Sequence, residues 1–160
     1  MQQITVLCVG KIKEKYLNDA INEYSKRLSR YCRLNVTEVA DECTPDNAGE
    51  AEENLIRQKE GARLIRALPQ NAFIVTLEIG GRQYSSTELA EQISRLGVEG
   101  NSHIVFVIGG SLGLGSEILE RSNMRLSFSK LTFPHQLMRV ILLEQIYRSY
   151  RIINGEPYHK

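Results

Sequence analysis

Only three histidines occur in this 160-residue chain, and two of them, His135 and His159, fall in its last third. Imidazole is the side chain whose charge changes nearest neutral pH, so these are the first candidates for moving a proton. His135 follows Phe133-Pro134 at the head of an apolar stretch, and Arg139 comes one helical turn later on the same face. Arg139 can hold a phosphate or a carbonyl oxygen. The competing readings are a helix-terminal donor for His135 and an ion pair for Arg139, with Glu144 as one partner. His103 precedes a strand and reads as a surface residue. The chain closes on Gly155-Glu156-Pro157-Tyr158-His159-Lys160. A proline before two ring side chains argues against a frayed end, and an aromatic ring can stack on an exposed base. Arg148 and Arg151, just upstream, suit phosphate contacts as well as a solvated surface.

A second chemical feature is the run Gly109-Gly110-Ser111-Leu112-Gly113-Leu114-Gly115 after the apolar stretch Ile104 to Ile108. Glycines after a buried strand let a ligand approach the backbone amides closely. Gly110 and Gly115 have the spacing of a phosphate-binding loop, but Ser116 stands where its lysine belongs. The third glycine of a dinucleotide fingerprint is missing, and no G-x-S-x-G elbow is present. A plain tight turn competes with a ligand-binding one.

The elements that must position these residues alternate along the chain. Ile4 to Val9 reads as a strand ending at Gly10, and Lys15 to Arg30 as an amphipathic helix. Leu34 to Val39 is a strand that gives way to a polar loop, Asp41 to Gly49, expected to be mobile. Glu50 to Leu68 is a helix ended by Pro69, and Phe73 to Ile79 a strand stopped by Gly80-Gly81. Ser86 caps a helix from Thr87 to about Leu96. Such alternation predicts an α/β fold, a mostly parallel sheet with helices on both faces.

Leu126 to Phe133 reads as a further strand, and Pro134 suits the first turn of a long helix. In that helix Leu137, Met138, Val140, Ile141, Leu142, Leu143, Ile146, Tyr147 and Tyr150 cover nearly the whole circumference. A helix apolar all round needs cover on all sides, which in a domain this small predicts a homodimer.

Composition bounds the rest. One domain spans residues 1–160, with no linker and no internal repeat. No apolar run is long enough for a bilayer, so a soluble cytoplasmic protein is expected. Cys8, Cys32 and Cys43 lack metal or redox spacing, and no metal site is expected. Net charge is +1, which excludes an autonomous basic nucleic-acid module. The charge is uneven, however: Lys11, Lys13, Lys15, Lys26, Arg27, Arg30 and Arg33 cluster early, and acids collect between Asp41 and Glu60.

Three stretches carry a resemblance: Val105 to Gly113, Leu126-Ser127-Phe128-Ser129-Lys130-Leu131-Thr132-Phe133-Pro134-His135-Gln136-Leu137-Met138-Arg139, and the closing Tyr158-His159. They resemble the RlmH family, small SPOUT-class enzymes that methylate N3 of a pseudouridine in 23S ribosomal RNA. The resemblance runs over essentially the full chain from Val9-Gly10-Lys11. It implies a C-terminal trefoil knot, an exception to the rule that chains are unknotted, and a dimer with the knots at its interface. It implies S-adenosyl-L-methionine as cofactor, held by backbone groups at Leu77, Gly109 and the loop Phe128, Ser129, Lys130, Leu131, Thr132 and Phe133. The catalytic set would be drawn from His135, Arg139, Tyr158 and His159. The partner would be 23S rRNA, recognised within the assembled ribosome by a surface built from both subunits. Two alternatives stay open at this point: a non-catalytic RNA-binding dimer with the same fold, and a small nucleotide-binding regulator.

Overall fold

The structure, a computed structural model, describes residues 1–160. Its elements in order are β1 (Gln3–Val9), α1 (Lys15–Leu28), β2 (Arg33–Val39), α2 (Glu50–Ala67), β3 (Phe73–Gln83), α3 (Ser86–Val98), β4 (His103–Ile108), α4 (Ser116–Glu120), β5 (Met124–Ser127) and α5 (His135–Ile153). The five strands form one sheet in the order β2-β1-β4-β3-β5, and every neighbouring pair is parallel. The two central strands, β1 and β4, are buried along almost their whole length, as parallel strands covered on both faces must be.

Side chains alternate between the two faces with the strand period of two. Ile4, Val6 and Cys8 of β1 and Ile104, Phe106 and Ile108 of β4 meet Leu28, Leu89, Ile93, Leu142, Leu143, Ile146 and Tyr150 on one face. Leu7, Val9, Val105 and Val107 meet Leu64 and Ile118 on the other. Helices α1, α3 and α5 therefore share one layer and α2 and α4 the opposite one, the sandwich expected from the sequence.

Four expectations need correction. Strand β3 does not stop at Gly80-Gly81 but continues to Gln83. Leu77 and Arg82 both register with Leu126, so the residues between them loop out of the ladder. That loop presses on β5: a Cβ on Gly81 would sit 2.8 Å from the Arg125 carbonyl carbon. Strand β5 ends at Ser127 rather than running to Phe133. The chain curls there because the Ser127 hydroxyl donates to Ser129 O and the Leu131 amide donates to Ser129 Oγ, giving the backbone local partners in place of a ladder. The cap of α3 is Ser85, not Ser86, in a reciprocal capping box with Glu88. Pro134 is the N-cap of α5, just outside its first turn.

Helix α5 starts beyond the edge strand β5 and runs back across the sheet to pack on α1 and α3. Arg139, in its second turn, is 1% exposed. Its Nη2 donates to the carbonyls of Val9 at 3.0 Å and Gly10 at 2.8 Å, and its Nη1 donates to Glu38 Oε2. One guanidinium thus ties the C-terminal helix to the ends of β1 and β2. Glu38, not Glu144, is the ion-pair partner; Glu144 pairs with Arg148 instead.

Arg139→Met should lower stability by about 3 kcal/mol, because two buried carbonyls and a carboxylate lose their donor. Glu38→Gln should cost about 1 kcal/mol or less, since that side chain is half-exposed and screened. Urea unfolding of the two variants checks this order; equal losses, or a larger one for Glu38→Gln, would contradict it.

Candidate functional site

The carboxyl ends of parallel strands are where α/β sheets bind ligands, and here they surround a cavity of about 640 Å³. Leu77, Glu78 and Ile79 form one wall, where β3 leaves the ladder. The second wall is Ile108 to Gly113, and the third is Leu126, Phe128, Ser129 and Leu131 to His135, with Met138 behind. Ile79 and Leu131 stand more than half exposed at the rim.

The glycine run forms a tight turn. The Gly113 amide donates to Gly110 O at 3.0 Å, and Gly113 has φ 76°, a conformation that favours glycine. Gly109 is required sterically, because a Cβ there would lie 2.6 Å from the Gly113 carbonyl carbon. From α2, Arg57 Nε donates to Leu112 O at 2.9 Å and holds the turn from outside.

Leu77, Gly109, Phe128, Ser129, Leu131, Thr132, Phe133 and His135, singled out in the sequence, all line the cavity. Lys130 does not; it is exposed and outside the lining. The alternation that imitates a strand from Leu126 to Phe133 instead points ring and aliphatic side chains into the cavity. Burial, with Arg139 nearby, holds the His135 imidazole below its usual pKa, opposed by Asp41. His135 is therefore neutral near pH 7, able to accept a proton.

Three other expected residues are placed differently. Arg139 lies behind the cavity with its terminal nitrogens bonded internally, so it positions α5 rather than reaching a ligand. Tyr158 and His159 are ordered, but against the far half of α5. The Tyr158 hydroxyl donates to Glu144 Oε1 at 3.1 Å, its ring meets Tyr147 edge-on at 5.0 Å, and His159 Nδ1 is 3.1 Å from Arg148 Nη1. From His135 to Arg148 the helix rises roughly 20 Å at about 1.5 Å per residue. Within one chain, tail and cavity sit apart. Arg148 and Arg151, expected on phosphates, are paired with Glu144 and Glu156.

Glu60 escaped the sequence reading. This α2 side chain is 4% exposed and lies against the glycine turn, with Oε1 3.2 Å from the Cβ that Gly110 lacks. Its Oε2 accepts from the Glu42 amide at 3.0 Å, while Oε1 has no hydrogen-bond partner. The start of the loop Asp41 to Gly49 is thereby tethered, as Arg63 also donates to Ala40 O and Glu42. Only a break in the charged pattern of α2 could have flagged Glu60, and Glu50 to Glu60 shows none.

A parallel α/β sheet with a glycine-walled cavity at its strand ends has the form of a small-ligand-binding domain. The family model described as "Predicted SPOUT methyltransferase" matches residues 2–159. The chain belongs to the SPOUT methyltransferase family, and the trefoil-knotted α/β fold class expected from the sequence stands with that membership. It is 62% identical over 157 residues to "Ribosomal RNA large subunit methyltransferase H" of Clostridium novyi (strain NT), covering 98% of this chain and 99% of the relative. The protein of the same name from Clostridium beijerinckii is 59% identical over the same shares. Among solved structures, a "probable methylase family protein" from Haemophilus influenzae Rd KW20 shares the fold, with a TM-score of 0.57 at 12% identity over 98% of this chain and 70% of that one.

Burial raises the Glu60 carboxyl above the ordinary carboxylate range, with the Glu42 amide pulling the other way. Ionised Glu60 is thus penalised in the folded state, fully so above its folded pKa and not at all below the unfolded value of about 4.3. Glu60→Gln should therefore gain stability at pH 8, and the gain should vanish as pH falls to 4. Urea midpoints at pH 8, 6 and 4 measure it; a gain that grows toward acid pH would contradict the burial account.

Proposed function

We propose that this protein transfers a methyl group from S-adenosyl-L-methionine to N3 of a pseudouridine in 23S rRNA, working as a homodimer on the assembled ribosome. The observation that carries the reading is the cavity lining. It contains no lysine or arginine, and its one carboxylate is Glu78. Polyphosphate would find no cation there, whereas an adenosine finds apolar walls and backbone groups; Glu78 itself is paired with Arg125 at 3.7 Å. Membership of the SPOUT methyltransferase family and near full-length identity to large-subunit rRNA methyltransferases point the same way.

The residues fit that cofactor. The glycine turn from Gly109 to Gly113 leaves backbone exposed where any Cβ at Gly109 would collide. Phe128, Leu131 and Phe133 offer faces for the adenine, and Leu77 and Gly109 offer backbone groups. When bound, S-adenosyl-L-methionine supplies an electrophilic methyl group on a sulfonium centre. Transfer to an imide nitrogen requires that nitrogen to lose its proton and to be held in line. His135 lies on the cavity wall with its pKa lowered chiefly by burial, which supports it as a candidate to accept that proton.

Tyr158 and His159 enter from a second copy. They are too far from their own cavity, while α5 leaves Leu137 38% exposed and Val140 and Ile141 half-buried beside it. A two-fold contact along this face pairs one chain's cavity end with the other's tail. There the Tyr158 ring can stack on the acceptor base.

Titration calorimetry should show one S-adenosyl-L-methionine bound per protomer and no ATP. Removing Tyr158 to Lys160 should leave that affinity within about twofold yet cut labelled methyl transfer to ribosomes by about 10²-fold or more. ATP binding without S-adenosyl-L-methionine would overturn the reading, and undiminished transfer by the shortened chain would remove the tail from the active site.

A further inference from the structure

The stretch Tyr24 to Thr37 contains Lys26, Arg27, Arg30 and Arg33 and no aspartate or glutamate. It covers the last turn of α1, the turn after it and most of β2. All four cations are exposed. Several helical cations elsewhere find a carboxylate four residues away, as in Lys15–Asp19 and Arg95–Glu99, although Arg66 of α2 forms no ion pair. Here only Arg27 does, with Glu23. Three of the four, Lys26, Arg30 and Arg33, have no carboxylate partner, so the patch keeps uncompensated positive charge. The α1 dipole accounts for Lys26 and Arg27 in its last turn, but Arg30 and Arg33 lie beyond the helix, where it offers them nothing.

Aromatic rings hold this side of the molecule in place. The Arg30 guanidinium lies 5.7 Å from the Tyr31 ring centre, and Arg27 lies 5.4 Å from Tyr24 and 5.7 Å from Tyr147. A guanidinium resting flat on a ring keeps its N–H edge free for an anion. Tyr31 stacks on Tyr150 at 5.9 Å, and its hydroxyl donates to Glu156 Oε2 at 2.7 Å. The patch is thereby continuous with the C-terminal tail. It is also remote from the cavity of its own chain, none of whose lining residues it contributes.

We propose that the end of α1 and the turn into β2, through Lys26, Arg30 and Arg33, form a docking surface for the phosphate backbone of the substrate RNA, separate from the methyl-donor cavity. The inference rests on the rRNA methyltransferase reading above. A chain of net charge +1 cannot attract RNA by its overall field, so its unpaired cations must be concentrated where the RNA lies. Phosphate contacts of this kind fix register without reading sequence. With a tail donated across the dimer, the patch would flank the partner's active site rather than its own.

The test is the triple variant Lys26→Gln, Arg30→Gln, Arg33→Gln, with Arg30→Gln alone as a milder companion. Calorimetry with S-adenosyl-L-methionine should match the wild type for both, which also shows that the fold is intact. The triple variant's KM for ribosomes should rise about tenfold or more with kcat within about twofold. For binding to protein-free 23S rRNA, the slope of log K against log salt should be shallower by about 2, at about 0.7 per lost contact, and by about 0.7 for the single variant. Unchanged KM and slope would overturn the proposal. So would a loss seen only with intact ribosomes, which would assign the patch to an acidic protein. Should the wild type bind S-adenosyl-L-methionine yet methylate nothing, the methyltransferase reading fails, while the salt slope still decides the docking surface.

Discussion

The interaction on which this structure most depends is the buried guanidinium of Arg139. A charge there is tolerable because two backbone carbonyls and Glu38 accept hydrogen bonds from its terminal nitrogens, although Nε has no partner. Those carbonyls belong to Val9 and Gly10, where β1 ends, so the docking of α5 and the end of the first strand are held by one side chain. The contact joins residues about 130 positions apart. It also sets the orientation of the first turn of α5, and with it the position of His135 on the cavity wall.

The cavity walls inherit their shape from that docking. Each wall is a strand end that departs from regular structure: the loop out of β3, the glycine turn after β4 and the curl after β5. All three departures rest on close backbone approaches or on short polar side chains. Gly81 against Arg125, Gly109 against Gly113 and the Ser127–Ser129 pair are the clearest cases. A site made of backbone and apolar faces suits a ligand whose adenosine is neutral.

Much of this was legible in the sequence for physical reasons. Fully buried strands such as Ile104 to Ile108 and amphipathic helices such as α1 announce themselves by period, and the glycine run was legible as a tight turn after a buried strand. What misled was local pattern that serves the cavity rather than the sheet. Leu126 to Phe133 alternates like a strand, yet only Met124 to Ser127 pairs. Gly80-Gly81 reads as a stop, yet is a loop within one strand. Arg139 shared a helical face with His135, and spacing alone cannot say whether such a face looks into a cavity or onto buried carbonyls. Glu60 carried no signal because a buried acid amid charged residues looks like a solvated one.

The central claim is that a cavity held by the knot in one chain works with the tail of another. A mixed dimer tests it most directly, pairing a protomer whose cavity is spoiled by Gly109→Ala with one lacking Tyr158 to Lys160. Neither homodimer should methylate 23S rRNA. The mixed dimer should recover transfer at one of its two sites, because the intact cavity of one chain then meets the intact tail of the other. A mixed dimer as inactive as its parents, with S-adenosyl-L-methionine bound at its intact cavity, would contradict the account.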